Sequence, residues 1–87
     1  MFNNYARKMP DGMFSLMQFP GVVTLTESNT IEGLVENILN LPENALKGGK
    51  IYWEPPTHIT NFSLSLEEQK KGRNLYAERF NYSHNKE

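Results

Sequence analysis

Residues 22–39, VVTLTESNTIEGLVENIL, decide the class of the fold, because a strand pattern gives way to a helix pattern within them. Val22 to Thr26 are β-branched or apolar, which predicts a strand. Asn29 and Glu32 then resemble a capping pair at the start of a helix. Apolar residues recur after them at the spacing of one helix face. The residues of this face are Ile31, Leu34, Val35, Ile38 and Leu39.

Two further strands are predicted before this stretch. The segment Met9-Pro10-Asp11-Gly12-Met13 favours a turn, because Pro presets φ, Asp bonds to the backbone ahead and Gly accepts a left-handed conformation. Residues 4–9 and 13–19 are therefore predicted to pair as a hairpin, and Pro20-Gly21 leads into the next strand. The alternative is a short N-terminal helix, since four apolar residues also have helical spacing. These four are Phe2, Tyr5, Ala6 and Met9.

The chain after the first helix is predicted to contain more strands. Pro42 ends the helix, since the residue before a proline avoids helical angles. Residues 42–46 are predicted to add a turn before Gly48-Gly49. Lys50 to Glu54 are then predicted to form a strand, which ends at Pro55-Pro56. From His58 onward apolar and polar residues alternate, which predicts another strand.

A second helix is predicted near Leu66, because Ser65 and Glu68 form a capping box. Its apolar stripe is thin. The stripe consists of Leu66, Gln69, Gly72 or Arg73, Tyr76 and Phe80, with Leu75 beside it. The predicted fold is α+β, with an antiparallel sheet of about four to five strands and two helices in the order ββ(β)αββα. Residues 1–81 are predicted to form a single domain, and residues 82–87 a frayed tail.

The composition limits the classes of function. The chain has 87 residues, enough for one domain. Its net charge is −1, with nine Lys and Arg against ten acids, so no basic surface favours nucleic acid. Without cysteine it has neither disulfides nor thiolate ligands, which fits a reducing compartment. No apolar run is long enough to span a membrane, and we expect a soluble cytoplasmic protein without membrane association.

The chain offers little catalytic chemistry. Lys47-Gly48-Gly49-Lys50 resembles a phosphate loop, but Asn44 and Ile51 stand where that loop needs Gly and Ser or Thr. His58 and His84 lie far apart with no Cys to complete a metal site. The best carboxylate pair, Glu32 and Glu36, fits a solvated helix face. The sequence therefore predicts no enzyme, no metal site and no cofactor.

The segment around the sole tryptophan is the best candidate for a partner surface. In a strand Tyr52 and Trp53 point to opposite faces, so one ring is expected in the core and the other is available to a partner, although both could pack internally. We place the anchor of a partner site here and its rim on the second helix. The candidate partner-binding residues are Tyr52, Trp53, Pro55, Pro56, Arg73, Tyr76 and Arg79.

The leading interpretation is a small non-enzymatic binding protein, an inhibitor or adaptor that acts by occupying the surface of a larger protein. In size, asparagine content and lack of cysteine, the chain resembles accessory proteins of bacteriophages and mobile elements. One alternative is a module for a nucleotide or single-stranded nucleic acid, with Lys50, Arg73 and Arg79 as its cations. Another is a virion or assembly component that forms homo-oligomers through exposed strand edges.

Overall fold

The computed structural model describes residues 2–42, 44–55 and 63–85, and side chains as far as residue 81. Within these residues the fold is α+β, as predicted. The elements are β1 (Asn3–Lys8), β2 (Phe14–Phe19), β3 (Val23–Ser28), α1 (Ile31–Leu39), β4 (Ile51–Tyr52) and α2 (Leu66–Asn85). The predicted strand after His58 lies mostly outside the described residues, and residues 63–65 are not in a strand. Helix α2 continues to Asn85, into the segment that the sequence assigns to a tail.

The described strands form one sheet in the order β3-β2-β1-β4. β1 and β2 pair as the predicted antiparallel hairpin, so the alternative of an N-terminal helix is wrong. Its turn has the expected chemistry: Asp11 Oδ1 accepts a hydrogen bond from the Met13 N–H at 3.0 Å, and Gly12 has φ of 89°. β3 adds antiparallel to β2 with an extra residue at Leu25.

The sheet is mixed, whereas the sequence predicted an antiparallel one. β4 pairs parallel to β1, with Asn4 opposite Ile51 and Tyr5 opposite Tyr52. The reason is topological, because α1 carries the chain back to the end of the sheet where β1 begins. β4 has only two residues instead of the five predicted, since the chain bends at Trp53 and Glu54.

Helix α1 provides four of the nine residues of the core cluster, more than any other element. Its cap is Thr30, whose Oγ1 accepts a hydrogen bond from the Gly33 N–H at 2.9 Å, so the predicted cap at Asn29 is wrong by one residue. The helix buries its apolar stripe against one face of the sheet, which we call the core face. The cluster of buried residues consists of Ala6, Phe14, Leu16, Ile31, Leu34, Val35, Ile38, Trp53 and Leu64.

A buried amide pair fixes the connection from α1 to β4. The Asn4 side chain is fully buried and donates to the Lys50 carbonyl at 3.2 Å. Gln18 Nε2 donates to Asn4 Oδ1 at 3.0 Å and to the Ala45 carbonyl at 2.9 Å. Gly49 passes so close to the Phe2 carbonyl that a Cβ would collide with it. The close contact with Phe2 gives Gly49 a structural role just before β4.

Helix α2 begins with the predicted capping box. The Glu68 N–H donates to Ser65 Oγ at 3.1 Å, and the Ser65 N–H donates to Glu68 Oε1 at 2.9 Å. The stripe differs from the prediction at Leu66, which is 81% exposed because it lies in the first turn beyond the edge of the core. Gln69 and Gly72 are buried.

Candidate binding surface

Tyr52 and Trp53 lie on opposite faces of the sheet, as predicted for neighbours in a strand. Trp53 is 4% exposed on the core face and packs against Gly72 of α2. The ring centroids of Trp53 and Tyr76 are 6.3 Å apart. Trp53 is therefore the core ring and is not accessible to a partner in this structure, whereas Tyr52 is half-buried on the other side.

We call this other side of the sheet the open face, because the helices pack on the core face and no described element covers it. The strand registers define its members, since side chains alternate between the two faces. Its residues are Asn3, Tyr5, Arg7, Ser15, Met17, Phe19, Thr24, Glu27 and Tyr52. The side chains on a sheet face that is exposed to water are usually polar. This one carries three aromatic rings.

The aromatic rings form a row across three strands. Tyr5 of β1 stacks on Tyr52 of β4, with centroids 5.2 Å apart and planes 24° apart. Phe19 of β2 meets Tyr5 edge to face, at 5.5 Å and 76°. All three side chains are half-buried. Because the rings pack against one another, their positions are fixed before any partner arrives.

Arg7 is a buried charged residue next to the aromatic row. It is paired across the strands with Ser15, yet its guanidinium carbon lies 5.9 Å from the centre of the Phe19 ring. The side chain therefore extends along the sheet from its own position toward Phe19. Arg7 is 9% exposed and Met17 is 6% exposed. Thr24 Oγ1 donates a hydrogen bond to Met17 Sδ at 3.0 Å.

The opposite end of the open face is polar and concave. A depression of about 390 Å³ lies between the β1–β2 turn and β3. Its lining residues are Met9, Pro10, Asp11, Ser15, Thr24 and Glu27. The open face thus has an aromatic half and an acidic half, because Asp11 and Glu27 both border the depression.

The structure separates the partner-binding residues that the sequence grouped together. Arg73 and Arg79 lie on α2, on the core side of the sheet, and each is held by a carboxylate. Arg73 bonds to Glu54 at 3.1 Å, and Arg79 to Glu36 at 2.8 Å. Pro55 is half-buried beyond β4, and Pro56 lies outside the described residues. Of the predicted set, the described structure places Tyr52 alone on the open face.

Tyr76 belongs to a separate apolar groove between α1 and α2. The groove has a volume of about 210 Å³. Its lining residues are Ile38, Leu39, Leu41, Pro42, Leu46, Tyr76 and Phe80. Phe80 is 37% exposed, and burial raises the pKa of the Tyr76 hydroxyl.

The carboxylate pair that was considered for catalysis is bound to cations, Glu32 to Lys71 and Glu36 to Arg79, whereas the side chains of His58 and His84 lie outside the described residues. Glu32 bonds to Lys71 at 2.6 Å, and that hydrogen bond lowers the pKa of the Glu32 carboxyl. The Gly49 N–H donates to the Leu46 carbonyl within the turn that resembled a phosphate loop. Among residues 2–42, 44–55 and 63–85, the side chains that the structure describes, which end at residue 81, form no cluster of three or more potential metal ligands. No helix in the same residues has the length and apolar character needed to cross a membrane.

Comparison with family models, curated protein sequences and solved structures finds no significant match to this chain. The fold class and the geometry of its surfaces therefore carry the functional argument. A small α+β domain does not by itself imply a function, which must be argued from a site.

The sequence analysis did not assign Tyr5, Arg7 or Phe19 to a candidate binding site. Their signal was present in the hairpin, where Tyr5 and Arg7 alternate with Asn4 and Ala6. The predicted strand at residues 13–19 was also apolar on both faces, which indicated that its second face was not an ordinary polar one. The register of β1 against β2 and β4 was needed to show that these residues join Tyr52.

Proposed function

We propose that this protein is a non-enzymatic binding protein that uses the aromatic half of its open face to occupy the surface of a larger protein. The observation that carries the proposal is the packed row of Tyr52, Tyr5 and Phe19, whose rings are half-buried. Tyr and Phe are enriched at protein interfaces, and Tyr is among the residues that often provide much of the binding energy.

Preorganisation supports this proposal. A side chain that is already ordered loses less entropy on binding, typically about 0.5–1.5 kcal/mol less for each rotamer-rich group. Tyr5 is held between Tyr52 and Phe19, and Arg7 lies along the sheet. The patch can therefore bind without first having to become ordered.

A protein partner fits this geometry better than single-stranded nucleic acid does. Bases stack on free ring faces beside cations that track the backbone. Here Tyr5 and Tyr52 turn ring faces toward each other, and Arg7 is buried. Of the three expected cations, Arg73 and Arg79 lie on α2 and bond to carboxylates, and Lys50 is exposed just before β4. We therefore propose an inhibitor or adaptor of a cytoplasmic protein that acts without turnover.

The proposal is tested by comparing variants of the open face with a control on the opposite side. Tyr5→Ala and Tyr52→Ala remove two rings of the row, and Leu66→Ala removes an exposed side chain from α2. Affinity capture followed by titration of the captured protein should show a loss of about 10-fold or more for each tyrosine variant and no loss for the control. Trp53 fluorescence and circular dichroism confirm that each variant is folded.

Two results would contradict the proposal. In the first, both tyrosine variants bind the captured protein as tightly as the wild type does. In the second, the protein binds labelled single-stranded oligonucleotides, and this affinity collapses between low and moderate salt, as phosphate contacts require. The tyrosine variants then report on nucleic-acid binding instead.

A further inference from the structure

Helix α2 contributes little apolar surface to the core. Among its side chains as far as residue 81, only Gln69 and Gly72 are buried, and neither is a large apolar residue. Tyr76 and Leu75 are half-buried against the core. Helix α1, by contrast, buries four apolar residues within nine positions. Helix α2 therefore buries fewer apolar side chains of its own than α1 does.

Four ion pairs connect α2 to the rest of the described structure. The partner residues lie in β1, in α1 and at Glu54, which follows β4. The pairs are Lys8–Glu68 at 3.3 Å, Lys71–Glu32 at 2.6 Å, Arg73–Glu54 at 3.1 Å and Arg79–Glu36 at 2.8 Å. All eight side chains are between 25% and 59% exposed, so salt screens these pairs effectively.

The sole tryptophan lies beneath α2. Gly72 approaches its ring so closely that a Cβ would lie 2.5 Å from a ring carbon, and Tyr76 packs beside it. Both neighbours belong to α2. Separation of the helix from the core would therefore uncover Trp53, while the hairpin of β1 and β2 would keep its own hydrogen bonds.

We infer that α2 is a strap held by four exposed ion pairs and by its packing over Trp53, which opens as a unit below the free energy of global unfolding and exposes Trp53 when it does. Cooperative units of a fold open at different free energies, and units with few buried apolar contacts open most easily. Opening gives the protein a second accessible aromatic ring, on the face of the sheet opposite to Tyr52. The inference does not depend on the proposed role of the open face.

Hydrogen exchange of the intact protein tests the inference. Amides of α2 and of the hairpin are compared by NMR at about 0.02 M and 0.5 M NaCl, across which surface ion pairs are progressively screened. The α2 amides should exchange about 3- to 10-fold faster at the higher salt, because each ion pair that is screened loses a modest stabilising free energy. The hairpin amides should change much less. The indole N–H of Trp53 should follow the α2 amides.

A pair of variants separates the role of charge from the general effects of salt. Lys71→Gln with Arg79→Gln removes two ion pairs, and Gln has nearly the same helix propensity as Lys and Arg. Lys70→Gln is the matched control, because Lys70 makes no ion pair among the described residues. The double variant should accelerate exchange in α2 and at the Trp53 indole about 3- to 10-fold at low salt, whereas the control should not.

Two outcomes would overturn the inference. If α2, the hairpin and the Trp53 indole all accelerate by one common factor, the helix opens only when the whole domain unfolds. If neither salt nor the double variant changes exchange in α2, the ion pairs do not hold it.

Discussion

Substitution of Gly72 by alanine should destabilise the domain, although alanine is the better helix former. Gly72 lies within α2, and a Cβ there would be 2.5 Å and 2.6 Å from two carbons of the Trp53 ring. Carbon atoms in contact are normally about 3.5–4.0 Å apart, so the ring or the helix would have to move by about 1 Å. Trp53 is 4% exposed and has little room to move.

Two opposing effects set the magnitude. The replacement of glycine by alanine in a helix interior stabilises by about 1 kcal/mol. Overpacking of a buried site costs about 1–3 kcal/mol, and a shift of this size lies in the upper part of that range. We expect a net loss of about 1–2 kcal/mol, which lowers the Tm of a domain of this size by about 5–15 °C.

Trp53 is itself the reporter for this experiment. Urea unfolding followed by its fluorescence gives the free energy of unfolding, and a red shift of the native emission shows that the ring has been displaced. Asn74→Ala is the control, since Asn74 is exposed in the same helix and should gain about 0.5 kcal/mol from propensity alone. If Gly72→Ala stabilises the protein by about 1 kcal/mol with unchanged emission, α2 does not pack on Trp53 as described.

Three further substitutions test local features. Val22 has φ of 50°, which is strained for a β-branched residue. Val22→Gly should therefore raise the free energy of unfolding by about 0.5–1 kcal/mol in urea titrations. Val23→Gly in β3 is the control and should lower it. Asn4→Ala should cost about 1–3 kcal/mol in the same titrations, because it breaks a buried amide network. The Ser65 backbone hydrogen bond lowers the pKa of Glu68 below 4.5. Glu68 thus stabilises the fold at neutral pH and loses this effect as the pH falls through its lowered pKa, so Glu68→Gln should flatten the dependence of stability on pH below about 4.5.

Local patterns predicted the elements that depend on local chemistry. The β1–β2 turn, the apolar stripe of α1 and the capping box of α2 each require only residues near in sequence. The two-residue length of β4 and its parallel pairing could not be predicted, because they depend on how the chain after α1 meets β1, which is distant in sequence.

The candidate site was predicted only in part. The opposite directions of Tyr52 and Trp53 follow from strand geometry, but nothing local indicates which ring is buried. Gly72 of α2 decides it, because its missing side chain makes room for the indole. The contact of Tyr52 with Tyr5 on the open face was also unpredictable, since it depends on the register between β1 and β4, which are far apart in the chain.

Hydroxyl-radical footprinting of the protein with its captured partner tests the central proposal most directly, because Met, Tyr, Phe and Trp side chains report on both candidate surfaces in one experiment. If the open face is the interface, oxidation of Tyr5, Phe19 and Tyr52 falls when the partner binds, while Tyr76 and Phe80 in the α1–α2 groove react as they do in the free protein. Protection of Tyr76 and Phe80 with unchanged oxidation of the open-face rings would contradict the proposal.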